Sequence, residues 1–302
     1  MERWVEGTIL GTTNKGDPFH YPTKTQDGYQ TEDLSGRVIE NFHRYGFDAF
    51  IVIGGDGSLR IAQRFADLGL PIVCIPKTID NDLSNTAVTF GFDTAVTTAT
   101  EALDKLHSTA EAHERVMVVE VMGRYAGWIA LNAGVSATAD VILIPEITFD
   151  IKKVCRKIMD RELHGEKFSI VVVSEGARPM GGELTTITDK IEVGRQEVHL
   201  GGVAVKVTEQ IHEITGKDCR SIILGHLQRG GPPTTFDRLL SLRFGTAAVR
   251  FVEKGMFGHM VALDTSEINA VPIKDAVERT KLVPLDSDTV TTARDLGISF
   301  GD

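Results

Sequence analysis

The sequence predicts an α/β fold built on parallel sheets with crossover helices, and three observations carry that expectation. Short apolar runs of strand length alternate with longer segments of helical period. A glycine-rich loop sits between the first clear strand and the helix after it. The chemically distinctive residues cluster just beyond the carboxyl ends of several strands, where open parallel sheets place their ligands.

The elements follow in order. Ala49-Phe50-Ile51-Val52-Ile53 reads as a buried strand, Gly54-Gly55-Asp56-Gly57-Ser58 as a loop, and the run to Leu68 as a helix. Pro71-Ile72-Val73-Cys74-Ile75 is the next strand and completes a parallel βαβ unit. Residues 94–112 read as a helix, 116–121 and 141–144 as strands, and 150–163 as an amphipathic helix with Asp150 as its N-cap. Residues 169–173 and 221–224 are β-branched and expected to be buried strands, and 239–252 form a long closing helix. There is no low-complexity tract, internal repeat or obvious linker. At 302 residues, two domains are expected.

Composition narrows the function. With 42% hydrophobic and 25% charged residues the chain matches a soluble globular enzyme. A net charge of −10 argues against nucleic acid and anionic membranes as partners, because both require a basic face. A small anionic substrate is compatible where positive groups gather locally. Cys74, Cys155 and Cys219 form no C-x-x-C pair, which points away from disulfides and zinc and toward a reducing cytoplasm. Cys74 lies in an apolar run and is expected in the core. No apolar stretch reaches spanning length, and Met1–Gly7 lacks the apolar region of a signal peptide.

Two loops carry the chemistry. In Gly54–Ser58, glycines permit close backbone approach to phosphate, the helix start offers free N–H groups, and Asp56 suits a Mg²⁺ ligand. A plain tight turn has the same composition, and the GGDG string also marks other kinase families. Pro76-Lys77-Thr78-Ile79-Asp80-Asn81-Asp82 is more specific: two carboxylates two residues apart, beside Lys and Thr, suit phosphoryl transfer. An Asx-rich turn is the alternative by composition alone.

These two loops, in this order, resemble the 6-phosphofructokinase family. Four further motifs extend the likeness: Met122-Gly123-Arg124, Pro145-Glu146, Glu175-Gly176, and the run Leu224-Gly225-His226-Leu227-Gln228-Arg229-Gly230-Gly231. The resemblance implies a glycolytic kinase, with Asp80 as the base toward the 1-hydroxyl of fructose 6-phosphate and Asp56 as Mg²⁺ ligand with Asp82 nearby. It also implies that Thr78 and Arg124 contact the reacting groups, that Met122 and Gly123 line the sugar site, and that Glu175 binds sugar hydroxyls. His226 and Arg229 match the holders of the 6-phosphate, and Gly55, Gly57, Ser58 and Lys77 fall on the donor side. Arg115 and Arg220 match arginines that reach in from a neighbouring subunit, which implies a homodimer or homotetramer.

For the donor, Gly57 is typical of ATP users, because an Asp there would repel the α-phosphate of the nucleotide. Lys77 is typical of diphosphate users. We weigh Gly57 more heavily, since a clash forbids a ligand whereas a lysine only adds attraction. Where many ATP-dependent members carry an arginine against the nucleotide, this chain has Asn14, with Lys15 beside it. The family opens with a strand and a G-G-D-x-P-G-x-N loop, whereas this chain opens at a segment resembling the later GGT-x-LG run. The expected fold is therefore two three-layer α/β domains facing a shared cleft, without the first βα unit. The donor domain is expected at 1–90 with 229–280, and the sugar domain at 91–228 with 281–302. Rival readings are a diphosphate-dependent phosphotransferase and a non-catalytic subunit.

Overall fold

The computed structural model describes residues 11–13, 16–26, 28–188 and 199–302. Its elements run β1 (Tyr21–Thr25), β2 (Gly28–Glu32), α1 (Ser35–Arg44), β3 (Phe50–Gly54), α2 (Asp56–Asp67), β4 (Ile72–Thr78) and β5 (Phe90–Gly91). Next come α3 (Phe92–Ala112), β6 (Val116–Val121), α4 (Trp128–Ser136), β7 (Val141–Leu143), α5 (Ile151–Leu163) and β8 (Ser169–Ser174). Then follow β9 (Thr186–Thr188), β10 (His199–Leu200), α6 (Val203–Thr215), β11 (Cys219–Ile223) and a 3₁₀ turn at Gly225–Arg229. The chain closes with α7 (Thr235–Glu253), β12 (His259–Asp264), β13 (Glu267–Pro272), α8 (Ile273–Val277) and α9 (Asp288–Asp295).

Two main sheets organise these elements. One has the order β13–β12–β4–β3, with β5 paired to the end of β4. The other has the order β11–β6–β8–β7 and is parallel throughout. Side-chain alternation along each strand feeds two cores, one per sheet face. In the second sheet, Val119 and Val172 pack with Leu103 of α3, Ile129 of α4 and Val290 of α9. Val118 and Val171 pack on the other face with Ile158 of α5 and Val207 of α6. In the first sheet, Ile72 and Cys74 face Leu59 and Phe65 of α2, while Val73 and Ile75 face Phe244 and Ala247 of α7.

Asp150 caps α5 by accepting the Lys152 N–H, as its sequence position implies. All three cysteines are free and buried. Among the described residues, no helix is long and apolar enough to cross a membrane.

Three expectations need correction. The 49–53 run is not a buried strand: β3 lies at a sheet edge, with Ile51 39% and Ile53 51% exposed. These residues share a face with their partners Val73 and Ile75, but α7 packs over β4 and β12, and no described element covers that face of β3. The 221–224 run is likewise an edge, and Ile223 is half-exposed. The first sheet is also not purely parallel, because β12 and β13 form an antiparallel hairpin that joins it through β12 and β4. The resembling segment at 6–15 falls largely outside the described residues.

Candidate active site

The first loop is shaped by what each glycine must avoid. A Cβ on Gly54 would lie 2.4 Å from the Ser58 Cβ, and one on Gly55 would lie 3.3 Å from the Thr78 Cβ. The first loop is thus pressed against the end of β4. Gly57 differs: among the described residues nothing lies within 4 Å of its would-be Cβ, and its backbone is ordinary. No described residue demands glycine there, and the position opens onto space beside the loop. Gly57 and Ser58 are exposed in the first turn of α2, where unpaired N–H groups favour an anion. Asp56 heads that turn and pairs with Arg60 Nε at 2.9 Å, and Lys77 is exposed at the end of β4.

The second loop leaves β4 at Thr78. The Asp80 N–H donates to Thr78 Oγ1 at 3.2 Å, and Thr89 Oγ1 donates to the Thr78 carbonyl at 2.8 Å. Asn81 adopts φ +51, the left-handed region that Asn tolerates best after Gly, and is buried. Its Oδ1 accepts the Thr89 N–H at 3.2 Å and Lys281 Nζ at 2.9 Å. Among the described residues, Asp82 Oδ1 is buried without a partner. Burial, reinforced by the charges of Asp80 and Asp56, pushes the Asp82 carboxyl up to about 7. Burial also pulls the Lys281 ammonium down to about 8, against the attraction of Asp82.

The opposite wall comes from the second sheet. Gly123 has φ +137, and a Cβ there would lie 2.5 Å from Ser174 Oγ, which donates to the Gly123 carbonyl at 2.6 Å. A Cβ on Gly176 would lie 2.0 Å from the Arg124 carbonyl oxygen. The Gly176 N–H donates to Gly123 O, and the Glu175 N–H to Val121 O. The Met-Gly-Arg and Glu-Gly motifs therefore pack into one unit. Gln228 is buried and accepts the Met122 N–H at 3.2 Å, fastening the 3₁₀ turn to that unit while His226 and Arg229 stay exposed. Burial, followed by the charges of Asp80 and Glu120, pushes the Glu175 carboxyl up to about 7. Asp80 on the first sheet thus sits close enough to Glu175 on the second to influence its proton.

A divalent cation fits the acidic end of this site. Asp82 Oδ1 lacks a partner, and Asp56 and Asp80 are near enough to raise its proton affinity. Among the described residues no group of three His, Cys, Asp or Glu encloses a metal by itself. A divalent cation that draws further ligands from phosphate oxygens and water needs no closed protein cage.

Arg115 and Arg220 are not part of this constellation. They sit at the amino ends of β6 and β11, both salt-bridged to Asp218, whereas Met122 lies beyond the carboxyl end of β6. Six residues of strand separate Arg115 from that end, about 20 Å. Asn14 and Lys15 lie outside the described residues. Sequence reasoning missed Lys281 and Gln228, and assigned no role to Glu146, whose carboxylate accepts the N–H groups of Gly127 and Val283. Only Gln228 and Glu146 lay inside motifs. Lys281 had no local signal.

A pH dependence follows. Asp82 and Glu175 bind protons more tightly when folded than their ordinary values of 3.8 and 4.5. Their contribution is fully favourable below about pH 4 and is lost as pH rises toward about 7. We expect the ligand-free protein to lose stability over that window. Glu175→Gln should remove on the order of 2 kcal/mol of the loss. Urea denaturation of both proteins at pH 5 and pH 8 checks this, and parallel pH profiles would contradict it.

The comparisons agree with this geometry. A sequence model of the family described as Phosphofructokinase matches residues 4–252. An ATP-dependent 6-phosphofructokinase of Chloroflexus aurantiacus is 50% identical over 296 residues, covering 98% of this chain and 80% of the relative. ATP-dependent 6-phosphofructokinase 2 of Clostridium perfringens is 45% identical over 298 residues, covering 98% of this chain and 81% of the relative. Among solved structures, Pichia pastoris phosphofructokinase in the T-state superposes with a TM-score of 0.76 at 27% identity, covering 98% of this chain and 31% of that one. A pyrophosphate-dependent phosphofructokinase from Marinobacter aquaeolei has a TM-score of 0.73 at 23% identity, covering 88% of this chain and 71% of that one, and shows the shared fold. On the family match and these relatives, the chain belongs to the phosphofructokinase family.

Proposed function

We propose that this chain transfers the terminal phosphoryl group of ATP to the 1-hydroxyl of fructose 6-phosphate, yielding fructose 1,6-bisphosphate. The observation that carries the reading is the pair of walls: Asp80, held at the end of β4 through Thr78 Oγ1, and the Met122–Arg124 loop packed against Glu175–Gly176. Asp80 accepts the hydroxyl proton, Thr78 and Arg124 steady the reacting groups, and Glu175, Met122 and Gly123 orient the sugar. His226 and Arg229, exposed on their turn, hold the 6-phosphate. Gly55, Gly57, Ser58 and Lys77 take the donor phosphates, with Asn14 and Lys15 assigned to the nucleotide.

The cation is Mg²⁺, held by Asp56 and Asp82, and when bound it offsets the negative charge of the phosphates. ATP as donor is supported by the names of the relatives and by the open space beside Gly57. The donor domain comprises 1–90 and 229–280, and the sugar domain 91–228 and 281–302. We place the enzyme in the cytoplasm. Formation of fructose 1,6-bisphosphate from fructose 6-phosphate and Mg²⁺, with ATP and diphosphate supplied in parallel, tests the reading. Turnover with diphosphate alone would overturn the donor, and none with either would overturn the activity.

Arg115 and Arg220 complete a neighbour's site in a homodimer or homotetramer. Their distance from the chain's own sugar wall supports this assignment, and Asp218 holds both side chains together. Arg220→Ser should raise KM for fructose 6-phosphate at least tenfold with kcat nearly unchanged. Mixing it with Asp80→Ser subunits should restore some sites with wild-type KM. Additive kinetics after subunit exchange would contradict a shared site.

A further inference from the structure

We propose that Lys281 is the positioning residue of the phosphoryl-transfer loop, holding Asp80 in register with the sugar wall. The proposal rests on the phosphotransfer reading above and assigns work to a residue outside every motif. Lys281 lies on the strap between α8, which packs on the first sheet, and α9, which packs on the second.

Its ammonium donates to three oxygens, Asn81 Oδ1, the Thr86 carbonyl and the Ala87 carbonyl, each at 2.9 Å. Three acceptors use all three protons of a lysine head. One of them belongs to the residue between Asp80 and Asp82. Asn81 Oδ1 also receives the Thr89 N–H, so Lys281 and Thr89 together fix the side chain that closes the loop. The strap's backbone adds a second attachment, with the Lys281 N–H donating to the Asp82 carbonyl at 2.8 Å.

The same residue is tied to the other wall. The Trp128 indole Nε1–H donates to the Lys281 carbonyl at 2.8 Å, and the Lys281 ammonium lies 5.3 Å from the centroid of the Trp128 ring. Two residues on, the Val283 N–H donates to Glu146 Oε1 at 2.9 Å, and that carboxylate also accepts the N–H of Gly127. Gly127 caps α4 and Trp128 begins it, with only Tyr125 and Ala126 between them and Met122-Gly123-Arg124. Lys281 therefore joins the loop carrying the base to the helix anchored behind the sugar loop. Simple space-filling does not require a lysine, because a methionine of similar length would fill the gap without burying a charge.

The test compares Lys281→Met and Lys281→Arg with wild type in steady-state kinetics and amide hydrogen exchange. For Lys281→Met we expect a 30- to 100-fold lower kcat, KM values for ATP and fructose 6-phosphate within threefold, and at least tenfold faster exchange at Thr89. Exchange in α5 should be unchanged. Lys281→Arg keeps the charge but cannot aim three protons at three converging oxygens, and should lose three- to tenfold in kcat. A folded Lys281→Met with kcat within threefold of wild type and unchanged Thr89 exchange would reduce Lys281 to packing and overturn the proposal. Should Lys281→Met not fold, a Lys281→Arg protein with wild-type kcat and Thr89 exchange overturns it equally. If wild type turns over no fructose 6-phosphate, the phosphotransfer reading fails, and the exchange at Thr89 still decides whether Lys281 holds the loop.

Discussion

Asp80→Ser should lower kcat by about 10³- to 10⁴-fold while leaving KM for both substrates within a few-fold, the size expected for loss of a general base. The wild-type loop presents the Asp80 backbone through Thr78 Oγ1, a contact that the substitution leaves in place. What disappears is the acceptor for the hydroxyl proton, together with the long contact of Thr78 Oγ1 to Asp80 Oδ2 at 3.5 Å. A second readout separates chemistry from folding. The charge of Asp80 contributes to the raised proton affinities of Asp82 and Glu175. Removing it relieves repulsion among three acids, so the ligand-free variant should be at least as stable as wild type at pH 8. A variant that is folded and retains more than a tenth of wild-type kcat would remove Asp80 from the role of base.

Gly57→Asp should reduce kcat/KM for ATP by about 10³-fold without harming the fold. Among the described residues nothing within 4 Å obstructs a Cβ at this position, and the backbone is not left-handed. An acidic residue in the first turn of α2 also interacts favourably with the helix dipole. The penalty therefore falls on the ligand. Two like charges at ~4 Å and an effective dielectric of ~20 repel by about 4 kcal/mol, roughly a thousandfold. KM for fructose 6-phosphate should hardly move, because the sugar loops lie on the other sheet. Initial-rate kinetics with ATP and with diphosphate check this together. Unchanged ATP kinetics would refute the steric and electrostatic account of donor choice, while selective loss of ATP use would support it.

The βαβ framework was legible because its signals are local. The Val116–Val121 strand, the Asp150 cap and the strand–glycine–helix passage from Phe50 to Asp67 all depend on residues within a few positions of one another. The two motif loops, Gly54–Ser58 and Pro76–Asp82, were legible for the same reason. Edge status was not, since the apolar run at Ile51 and Ile53 reads the same whether or not a helix covers it. The β12–β13 hairpin was missed because β13 is an alternating, part-exposed strand with a weak pattern, and the buried run of β12 spans only Met260–Leu263.

Sequence alone determined the α/β class and the order of the motifs, because those depend on residue type and short spacing. Tertiary structure alone decided that Gly123 and Gly176 are demanded by contact with Ser174 and Arg124, whereas no described residue demands glycine at 57. It alone separated Arg115 and Arg220 from the chain's own sugar wall. It alone brought Lys281 to Asn81 across 200 positions. A long-range hydrogen bond leaves no trace in local composition, because its partners are chosen by how sheets and straps pack in space.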